Sequence, residues 1–253
     1  MLAALPAHRT VTGVTGLEQR ARHVAPQKAA LSGTGQNLSV TVPAQVIRVG
    51  RMIEDIRICF IGDSFVQGIG DPEYRGWVGR VLEATGQDIT AFNLGIRRNT
   101  SDDVLRRCRS EVLPRTLPGA DNRLVISFGS NDTVQEDGAV RVDPTRCLEN
   151  LASILDECRH HSISPLVVGP PPVIDAGAEH LRRTEKLAGE MAALCRTRQI
   201  PFISTTLELA HDPVWTEEVA SGDGAHPGSN GYRKLADLVL AEQWREWITQ
   251  PRS

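Results

Sequence analysis

One stretch, residues 58–68, constrains the fold more than any other: it reads Ile-Cys-Phe-Ile-Gly-Asp-Ser-Phe-Val-Gln-Gly. A short apolar run that ends abruptly in Gly-Asp-Ser predicts a buried strand, a tight turn and a helix start. Ser64 would then lie at the carboxyl end of a strand, where open α/β sheets bind ligands. The free N–H groups of a helix start also suit a developing oxyanion. The alternative is that Asp63 or Ser64 only caps the helix.

From residue 56 onwards the chain alternates apolar runs with segments of helical periodicity. The apolar runs that have the length of strands are residues 56–62, 89–94, 124–128, 166–168 and 202–203. The run at 124–128 is almost wholly apolar, which is typical of parallel strands covered on both faces. Five strands that alternate with helices predict an α/β fold, with a parallel sheet, right-handed crossovers and helices on both faces.

Start and stop signals mark the helices between these strands. Aspartate followed by proline favours a helix start, and glycine favours a helix end. Serine with acidic residues in the following turn is typical of a cap. The predicted signals are a stop at Gly86, a cap at Ser101, a start at Asp143 and Pro144, a helix through residues 181–194, and a last helix whose apolar side runs from Tyr232 to Trp244.

Residues 1–51 differ in composition from the rest of the chain. They hold six basic residues and one acidic residue, and they show no sustained apolar period. We therefore predict a tail over residues 1–51 and one domain over residues 52–253. The tail is expected to be disordered, to be a transit-type targeting segment, or to be a start-site artefact if translation begins at Met52.

Composition and charge restrict the class of protein. The net charge is −3, and residues 52–253 hold 22 basic against 30 acidic residues, which argues against nucleic acid as the main partner. No run approaches the roughly 20 apolar residues that span a membrane, so no membrane insertion is predicted. The five cysteines form no Cys-x-x-Cys pair, so we predict no disulfide framework, no metal site and a cytoplasmic location. The oligomeric state is left open.

Three further polar stretches, at residues 93–101, 128–132 and 223–227, supply the other groups that acyl transfer needs. Ser64 would be the nucleophile and His226 its base, while Asp223 would hold the imidazole in the right tautomer. Asn131 would donate its side-chain amide to the oxyanion, beside the backbone N–H of Ser64. Taken singly, each stretch could be an ordinary polar loop.

The set Gly-Asp-Ser at 62–64, Gly-x-Asn-Asp at 129–132 and Asp-x-x-His-Pro at 223–227 resembles the SGNH, or GDSL-type, esterase and lipase superfamily. The likeness covers residues 56–247, and as a combination the motifs are specific. The resemblance implies a flavodoxin-like three-layer α/β/α sandwich and hydrolysis of esters or thioesters without a metal or cofactor. It implies that Ser64 is the nucleophile, Asn131 an oxyanion donor, Asp223 the acid and His226 the base.

One position departs from the family pattern. The second block of the family usually reads Asn-x-Gly-x-x-Gly-x-Thr, and its later glycine gives a backbone N–H to the oxyanion. Here Gly95 keeps the earlier position, and Arg98 stands at the later one. A backbone donor survives a change of side chain unless the turn demands a positive φ, so we expect the N–H of Arg98 to complete the oxyanion hole.

The candidates for substrate contacts are Gly95, Arg97, Arg98 and Trp215. Arg97 and Arg98 could together clamp an anionic acyl group or phosphate; the alternative is a solvated arginine pair. Trp215 could wall the acyl pocket or only pack a loop. The pair Gly68-x-Gly70 lacks the last glycine of a dinucleotide fingerprint and is interpreted as a loop.

The sequence thus predicts a serine hydrolase that acts on small or medium carboxylic esters through an acyl-enzyme. Acyl transfer and carbohydrate deacetylation are alternatives that would use the same site. An alternative of another class is a flavodoxin-like module that binds a phosphate or nucleotide without turnover. The pair of Asp223 and His226 discriminates between these classes, because a pure binder has no need of it.

Overall fold

The computed structural model describes residues 55–241 and 243–250, and the tail predicted over residues 1–51 lies outside the described residues. In the described part the strands are β1 (Ile56–Gly62), β2 (Ile89–Gly95), β3 (Asp121–Ser127), β4 (Gln135–Glu136), β5 (Ala139–Val140), β6 (Ser164–Val168) and β7 (Phe202–Ile203). The helices are α1 (Ser64–Gln67), α2 (Gly76–Thr85), α3 (Ser101–Val112), α4 (Pro144–His160), α5 (Gly177–Thr197), α6 (Thr206–Ala210), α7 (Pro213–Ser221), α8 (Ser229–Ala241) and α9 (Trp244–Thr249).

The main sheet is parallel and has the strand order β2-β1-β3-β6-β7, while β4 and β5 form a separate antiparallel hairpin. Apart from the hairpin, this is the flavodoxin-like order. Gly62 at the end of β1 lies opposite Gly95 of β2 and Ser127 of β3. The segments that follow these three neighbouring strands therefore leave the sheet at one edge.

Side chains alternate across the sheet and build a core on each face. Along β1, Ile58 and Phe60 face a core covered by α1, α2 and α6–α9, whereas Cys59 and Ile61 face a core covered by α3–α5. Burying each large apolar side chain contributes about 1.5–3 kcal/mol. The predicted α/β class, with a five-stranded parallel sheet in a three-layer sandwich, is confirmed.

The strand bounds were predicted best where apolar residues begin and end the strand. The bounds of β1 and β7 are confirmed, but β3 and β6 start earlier than their apolar runs. Strand β3 opens with Asp121 and Arg123, whose charged groups lie 2.7 Å apart with side chains only 3% exposed. Charges that pair in this way can stand in a strand that hydropathy alone would begin later.

Two predicted helix termini are wrong. Thr100, not Ser101, caps α3: it forms a capping box with Asp103, and Ser101 is the first helical residue. The last helix does not continue to Trp244, because α8 ends at Ala241 and Trp244 begins α9. The stop at Gly86 and the start at Asp143 and Pro144 are confirmed.

All five cysteines are free and buried. No helix within residues 55–241 and 243–250 combines the length and the apolar character that crossing a membrane requires.

Candidate active site

The turn after β1 places Ser64 as the first residue of α1. Asp63 caps the helix, since its carboxylate accepts the N–H of Phe65 at 2.9 Å, and Gly68 ends the helix with a φ of 84°. Ser64 is 4% exposed, and in the described part of the chain its N–H and its Oγ make no hydrogen bond. Because Asp63 serves as the cap, the hydroxyl of Ser64 is left available.

Helix α1 rests directly on the end of β2, and Gly95 makes this contact possible. A Cβ atom at Gly95 would lie 2.1 Å from the backbone nitrogen of Gln67 and 2.7 Å from the carbonyl carbon of Val66. Asn93 adds a hydrogen bond of 2.7 Å from its side-chain amide to the Val66 carbonyl. Gly95, predicted as a substrate contact, therefore has a structural task that positions Ser64.

Asp223 and His226 lie in the loop between α7 and α8. The Nδ1 atom of His226 is 2.8 Å from Oδ2 of Asp223, and Oδ1 accepts the backbone N–H of His226 at 2.9 Å. A carboxylate only accepts hydrogen bonds, so Nδ1 carries the hydrogen and Nε2 of the neutral ring keeps a lone pair. Nε2 makes no hydrogen bond to any residue in the described ranges. The ring is thus oriented by one nitrogen and available as a base at the other.

The charges of this pair follow from burial and hydrogen bonding. Burial raises the pKa of Asp223, but the hydrogen bonds from the ring and backbone of His226 outweigh it and hold the pKa at about 2. Burial lowers the pKa of His226; the bond to Asp223 opposes this, and the nearby charge of Arg97 lowers the pKa further. A neutral imidazole beside a charged carboxylate is therefore favoured at neutral pH.

The loop of His226 packs against the segment of Ser64. The rings of His226 and Phe65, the neighbour of Ser64, have centroids 5.2 Å apart. The hydroxyl of Tyr232 in α8 donates to the carbonyl of Ile69 at 2.6 Å. These contacts place the histidine ring beside the amino end of α1.

Asp71 fixes the segment between α1 and α2 and has no counterpart among the sequence candidates. Its buried carboxylate accepts bonds from Arg80 at 2.5 Å, from the hydroxyl of Ser229 at 2.8 Å and from the backbone of Gly76 at 2.8 Å. Burial raises the pKa of Asp71, yet the bonds from Arg80 and Ser229 hold it well below its usual range. The carboxylate joins α8 to the segment that follows Ser64.

The predicted oxyanion donors lie in the segments that follow β2 and β3. Arg98 has a φ of 69°, so this turn does demand the left-handed region, and the arginine adopts it. Its N–H donates to no acceptor in the described part of the chain. Asn131 donates its amide nitrogen to the carbonyl of Asn99 at 3.0 Å and, more weakly, to Asp63 at 3.4 Å. Asp132 is buried and accepts the N–H of Ser101, as a structural residue would.

The guanidinium groups of Arg97 and Arg98 do not meet. Arg97 pairs with Asp223 at 3.1 Å, while Arg98 pairs with Glu136 at 3.5 Å. The structure therefore does not bring them together as the clamp that the sequence suggested.

Trp215 has no exposed surface. Its ring stacks on that of Phe65 with centroids 5.9 Å apart, and its Nε1 lies 3.4 Å from the carbonyl of Pro172. Of the two roles that the sequence left open for Trp215, these contacts fit packing, because the ring lies in the core beneath α1.

An open cavity of about 600 Å³ borders the pair of Asp223 and His226. Its lining includes Asp223 and His226 together with Gly70, Pro72 and Glu218. The cavity thus leaves open space beside the pair of Asp223 and His226.

A family profile supplies the deciding comparison: residues 60–234 match the GDSL-like Lipase/Acylhydrolase family. The chain belongs to the GDSL-like lipase/acylhydrolase family. This is a family of ester-bond hydrolases, and the match spans the segments that carry Ser64, Asn131, Asp223 and His226.

Individual relatives agree with membership of the GDSL-like family. The chain is 31% identical over 137 residues to the lipoprotein YqeF of Bacillus subtilis (strain 168), covering 52% of this chain and 54% of that protein. The chain thus spans about half the length of this relative. The name of YqeF assigns that protein to the lipoproteins, and it gives no support to a cytoplasmic location here.

Solved structures of the family share the fold. A lipase/acylhydrolase from Enterococcus faecalis superimposes with a TM-score of 0.60 at 24% identity, covering 76% of this chain and 96% of that one. Axe2, an acetylxylan esterase from Geobacillus stearothermophilus, gives 0.63 at 19% identity, covering 79% and 99%. At these identities the likeness shows the architecture alone.

Proposed function

We propose that this GDSL-like chain hydrolyses small or medium carboxylic esters, or thioesters, through an acyl-enzyme on Ser64. The observation that carries the proposal is the pair of Asp223 and His226. One ring nitrogen is held at 2.8 Å by a carboxylate, and the other is unbonded within the described residues, in a ring packed beside the amino end of α1. Such a pair is what activates a serine hydroxyl.

In the proposed reaction, Oγ of Ser64 attacks the ester carbonyl while Nε2 of His226 takes its proton. The C–O bond to the alcohol then breaks, and His226 returns the proton to the leaving oxygen. A water molecule, deprotonated by His226, then attacks the acyl carbon. The bond from this carbon to Oγ of Ser64 breaks, His226 returns the proton to Oγ, and the acid is released. Asp223 stays charged throughout and stabilises the imidazolium that forms in each half of the reaction.

The proposed oxyanion hole consists of the N–H groups of Ser64 and Arg98 and the side-chain amide of Asn131. The first two make no other hydrogen bond in the described chain, which supports this assignment. The amide of Asn131 keeps its bond to Asn99 in this scheme and exchanges its weaker one, to Asp63 at 3.4 Å, for the oxyanion. Fixed donors of this kind stabilise the charge that develops in the transition state.

Two features bear on the alternatives. Acyl transfer and carbohydrate deacetylation would use the same residues and differ only in the acceptor or the alcohol. A phosphate- or nucleotide-binding module is disfavoured for two reasons. The chain belongs to a family of hydrolases, and it holds the pair of Asp223 and His226, which binding alone does not need. The proposal assigns no metal, cofactor or nucleic acid to the site, and a cytoplasmic location stays a prediction.

Labelling with a fluorophosphonate probe tests the proposal, because the probe reacts only with an activated serine. The wild-type chain should be labelled and should hydrolyse nitrophenyl esters, with acetyl to butyryl preferred over palmitoyl. Ser64→Ala and His226→Ala should each lower kcat by about 10⁴-fold or more, and the double variant should be no worse than the singles. Ser153→Ala, an exposed serine on α4, is the control. Near-normal activity of Ser64→Ala in a folded protein would overturn the assignment.

A further inference from the structure

Arg107, on the inner side of α3, sends its guanidinium under the candidate active site. Nη2 donates to the carbonyl of Gly62 at 2.7 Å, and Nε donates to the side-chain oxygen of Asn99 at 2.8 Å. Nη1 donates to Glu111 at 2.9 Å, one turn along the same helix. One planar group thus joins α3 to two segments that leave the sheet at its carboxyl edge.

The first of these segments carries the nucleophile. Gly62 is the last residue of β1 and immediately precedes the capping Asp63 and Ser64. Its carbonyl also accepts the N–H of Ile96 at 3.1 Å, so Arg107 supplies a second donor to an oxygen that already ties the Ser64 turn to the loop after β2.

The second segment carries the proposed oxyanion donors. Asn99 directly follows Arg98, whose N–H is one donor, and the Asn99 carbonyl accepts the amide of Asn131, which is another. Arg107 thus holds both proposed donors in place through its hydrogen bond to the side chain of Asn99. Because Arg98 stands in the left-handed region, which costs a non-glycine residue about 1–2 kcal/mol, this turn needs fixed neighbours to keep its shape.

The chemistry of the contact suits arginine alone. The side chain is only 13% exposed, and Glu111 balances its charge. A guanidinium presents several donors in one rigid plane, whereas a lysine ammonium is a single compact point on a flexible stem. A lysine could keep the charge but not bridge Gly62 and Asn99 in this geometry.

We infer that Arg107 is a positioning residue of the active site, which acts through Gly62 and Asn99 to hold the nucleophile turn and the oxyanion donors in register. It touches no reacting atom. The inference rests on the proposed function, because the register matters only if Ser64 is the nucleophile and Arg98 and Asn131 are donors.

The test compares Arg107→Met with Arg109→Met on nitrophenyl acetate. Methionine keeps the apolar stem and removes every donor, and Arg109 is an exposed arginine of the same helix, 67% exposed at its side chain. Arg107→Met should lose about 10²-fold in kcat, the effect of a misplacement near 1 Å. Its KM should change by less than about threefold, since a contact made only in the transition state lowers kcat. Labelling by fluorophosphonate should slow in parallel, and Arg109→Met should behave as wild type.

Two further variants separate positioning from stability. Relative to Arg107→Met, Arg107→Lys should recover much of the wild-type thermal stability but little of the wild-type kcat. Full recovery of kcat by lysine would overturn the inference. Asn99→Ala lies in a surface loop and removes only the hydrogen bond between this side chain and Arg107. The variant should therefore fold, and its kcat should also fall. Combined with Arg107→Met it should add little, because coupled residues are not additive. Independent effects of the two substitutions, or an unchanged kcat in a folded Arg107→Met protein, would overturn it.

Failure of the inference differs from failure of the proposed function. If wild type hydrolyses the ester and Ser64→Ala does not, but Arg107→Met is as fast as wild type, only the positioning role is lost. If Ser64→Ala is active, both are lost.

Discussion

Arg97 and Asp223 form an ion pair at the candidate active site, with Nη2 of Arg97 3.1 Å from Oδ2 of Asp223. The same oxygen accepts the bond from Nδ1 of His226 at 2.8 Å. The backbone N–H of Arg97 is fixed in turn by the side-chain oxygen of Gln67, the last residue of α1, at 2.8 Å. A cation from the loop after β2 thus shares the carboxylate that orients the proposed base.

Arg97→Gln should move the acid limb of the pH–rate profile to higher pH. The proposed base must be neutral, so activity falls as the pH drops through the pKa of His226. Burial lowers that pKa, the bond to Asp223 raises it, and the charge of Arg97 lowers it further. Removing the guanidinium leaves the bond to Asp223 in place, so the pKa of His226 should rise. The measurement is kcat/KM of nitrophenyl acetate against pH, which reports the free enzyme.

Salt provides the control for this prediction. The side chains of Arg97 and Asp223 are 55% and 42% exposed, so added salt should screen the effect. The profiles of wild type and Arg97→Gln should therefore converge at high ionic strength. The other charged groups around the His226 loop, Glu218 and Asp175, are the same in both proteins. An acid limb that stays in place in the variant at low salt would refute the role of Arg97.

Arg98→Gly should retain most activity, because the donor proposed at this position belongs to the backbone. Glycine adopts a φ of 69° without the penalty of about 1–2 kcal/mol that other residues meet there, although its freedom in the unfolded chain offsets part of the gain. The lost ion pair with Glu136 is exposed and worth little. The melting temperature should change by only a few degrees.

The matched variant Arg98→Ala removes the guanidinium but keeps the backbone penalty. Activity on acetyl and succinyl esters separates the two roles that the sequence suggested for Arg98. Since the two guanidinium groups point to different carboxylates, we expect equal, small effects on both esters. A loss of about 10²–10³ in kcat on both esters would mean that the oxyanion donor had moved. A selective loss on the succinyl ester would instead support the prediction that the guanidinium of Arg98 binds an anionic acyl group.

Gly95→Ala should damage both stability and activity. The new Cβ atom would overlap the backbone nitrogen of Gln67 at 2.1 Å, so α1 must shift and carry Ser64 with it. Overpacking of this kind costs about 1–3 kcal/mol, and a 1 Å displacement of the nucleophile costs about 10² in rate. Gly189→Ala in α5 is the control, because nothing beyond the backbone of its own helix lies within 4 Å of the point that its new methyl group would occupy. Equal melting temperatures and rates for Gly95→Ala and wild type would contradict this account.

A shortened chain that begins at Met52 should keep the activity and the melting temperature of the full chain. The prediction rests on the basic, aperiodic composition of residues 1–51 and on the first strand starting at residue 56. Thermal unfolding and ester turnover of the two chains measure it. A large drop in either quantity would show that the segment contributes to the fold.

The sequence predicted the strands and motifs because local signals encode them. An apolar run fixed both ends of β1, and glycine or aspartate–proline marked real helix ends. The break between α8 and α9 carries no glycine or proline before Trp244, so helical periodicity ran through it. Helix α1 has four residues, too few to show any period.

The contacts that complete the site could not be read from the sequence. Arg97 and Asp223 are far apart in the sequence, and only the fold brings them into contact. Arg107 is one of several arginines on α3, and what distinguishes it is its contact with the carbonyl of Gly62. The sequence left two roles open for Trp215 for the same reason: its position before Asp223 indicated closeness to the site, but only the packing shows whether the ring faces a pocket or the core.

The tie between Tyr232 and Ile69 has a consequence for synthesis of the chain. During translation Ser64 and Asn131 leave the ribosome early. Asp223 and His226 follow late, just ahead of the α8 helix that carries Tyr232. In the proposed mechanism, Ser64 of a nascent chain is therefore an ordinary alcohol, and it becomes a nucleophile only when α8 docks. Labelling of this hydroxyl by a covalent probe, measured on nascent chains of increasing length, would then show at which length the docking of α8 occurs.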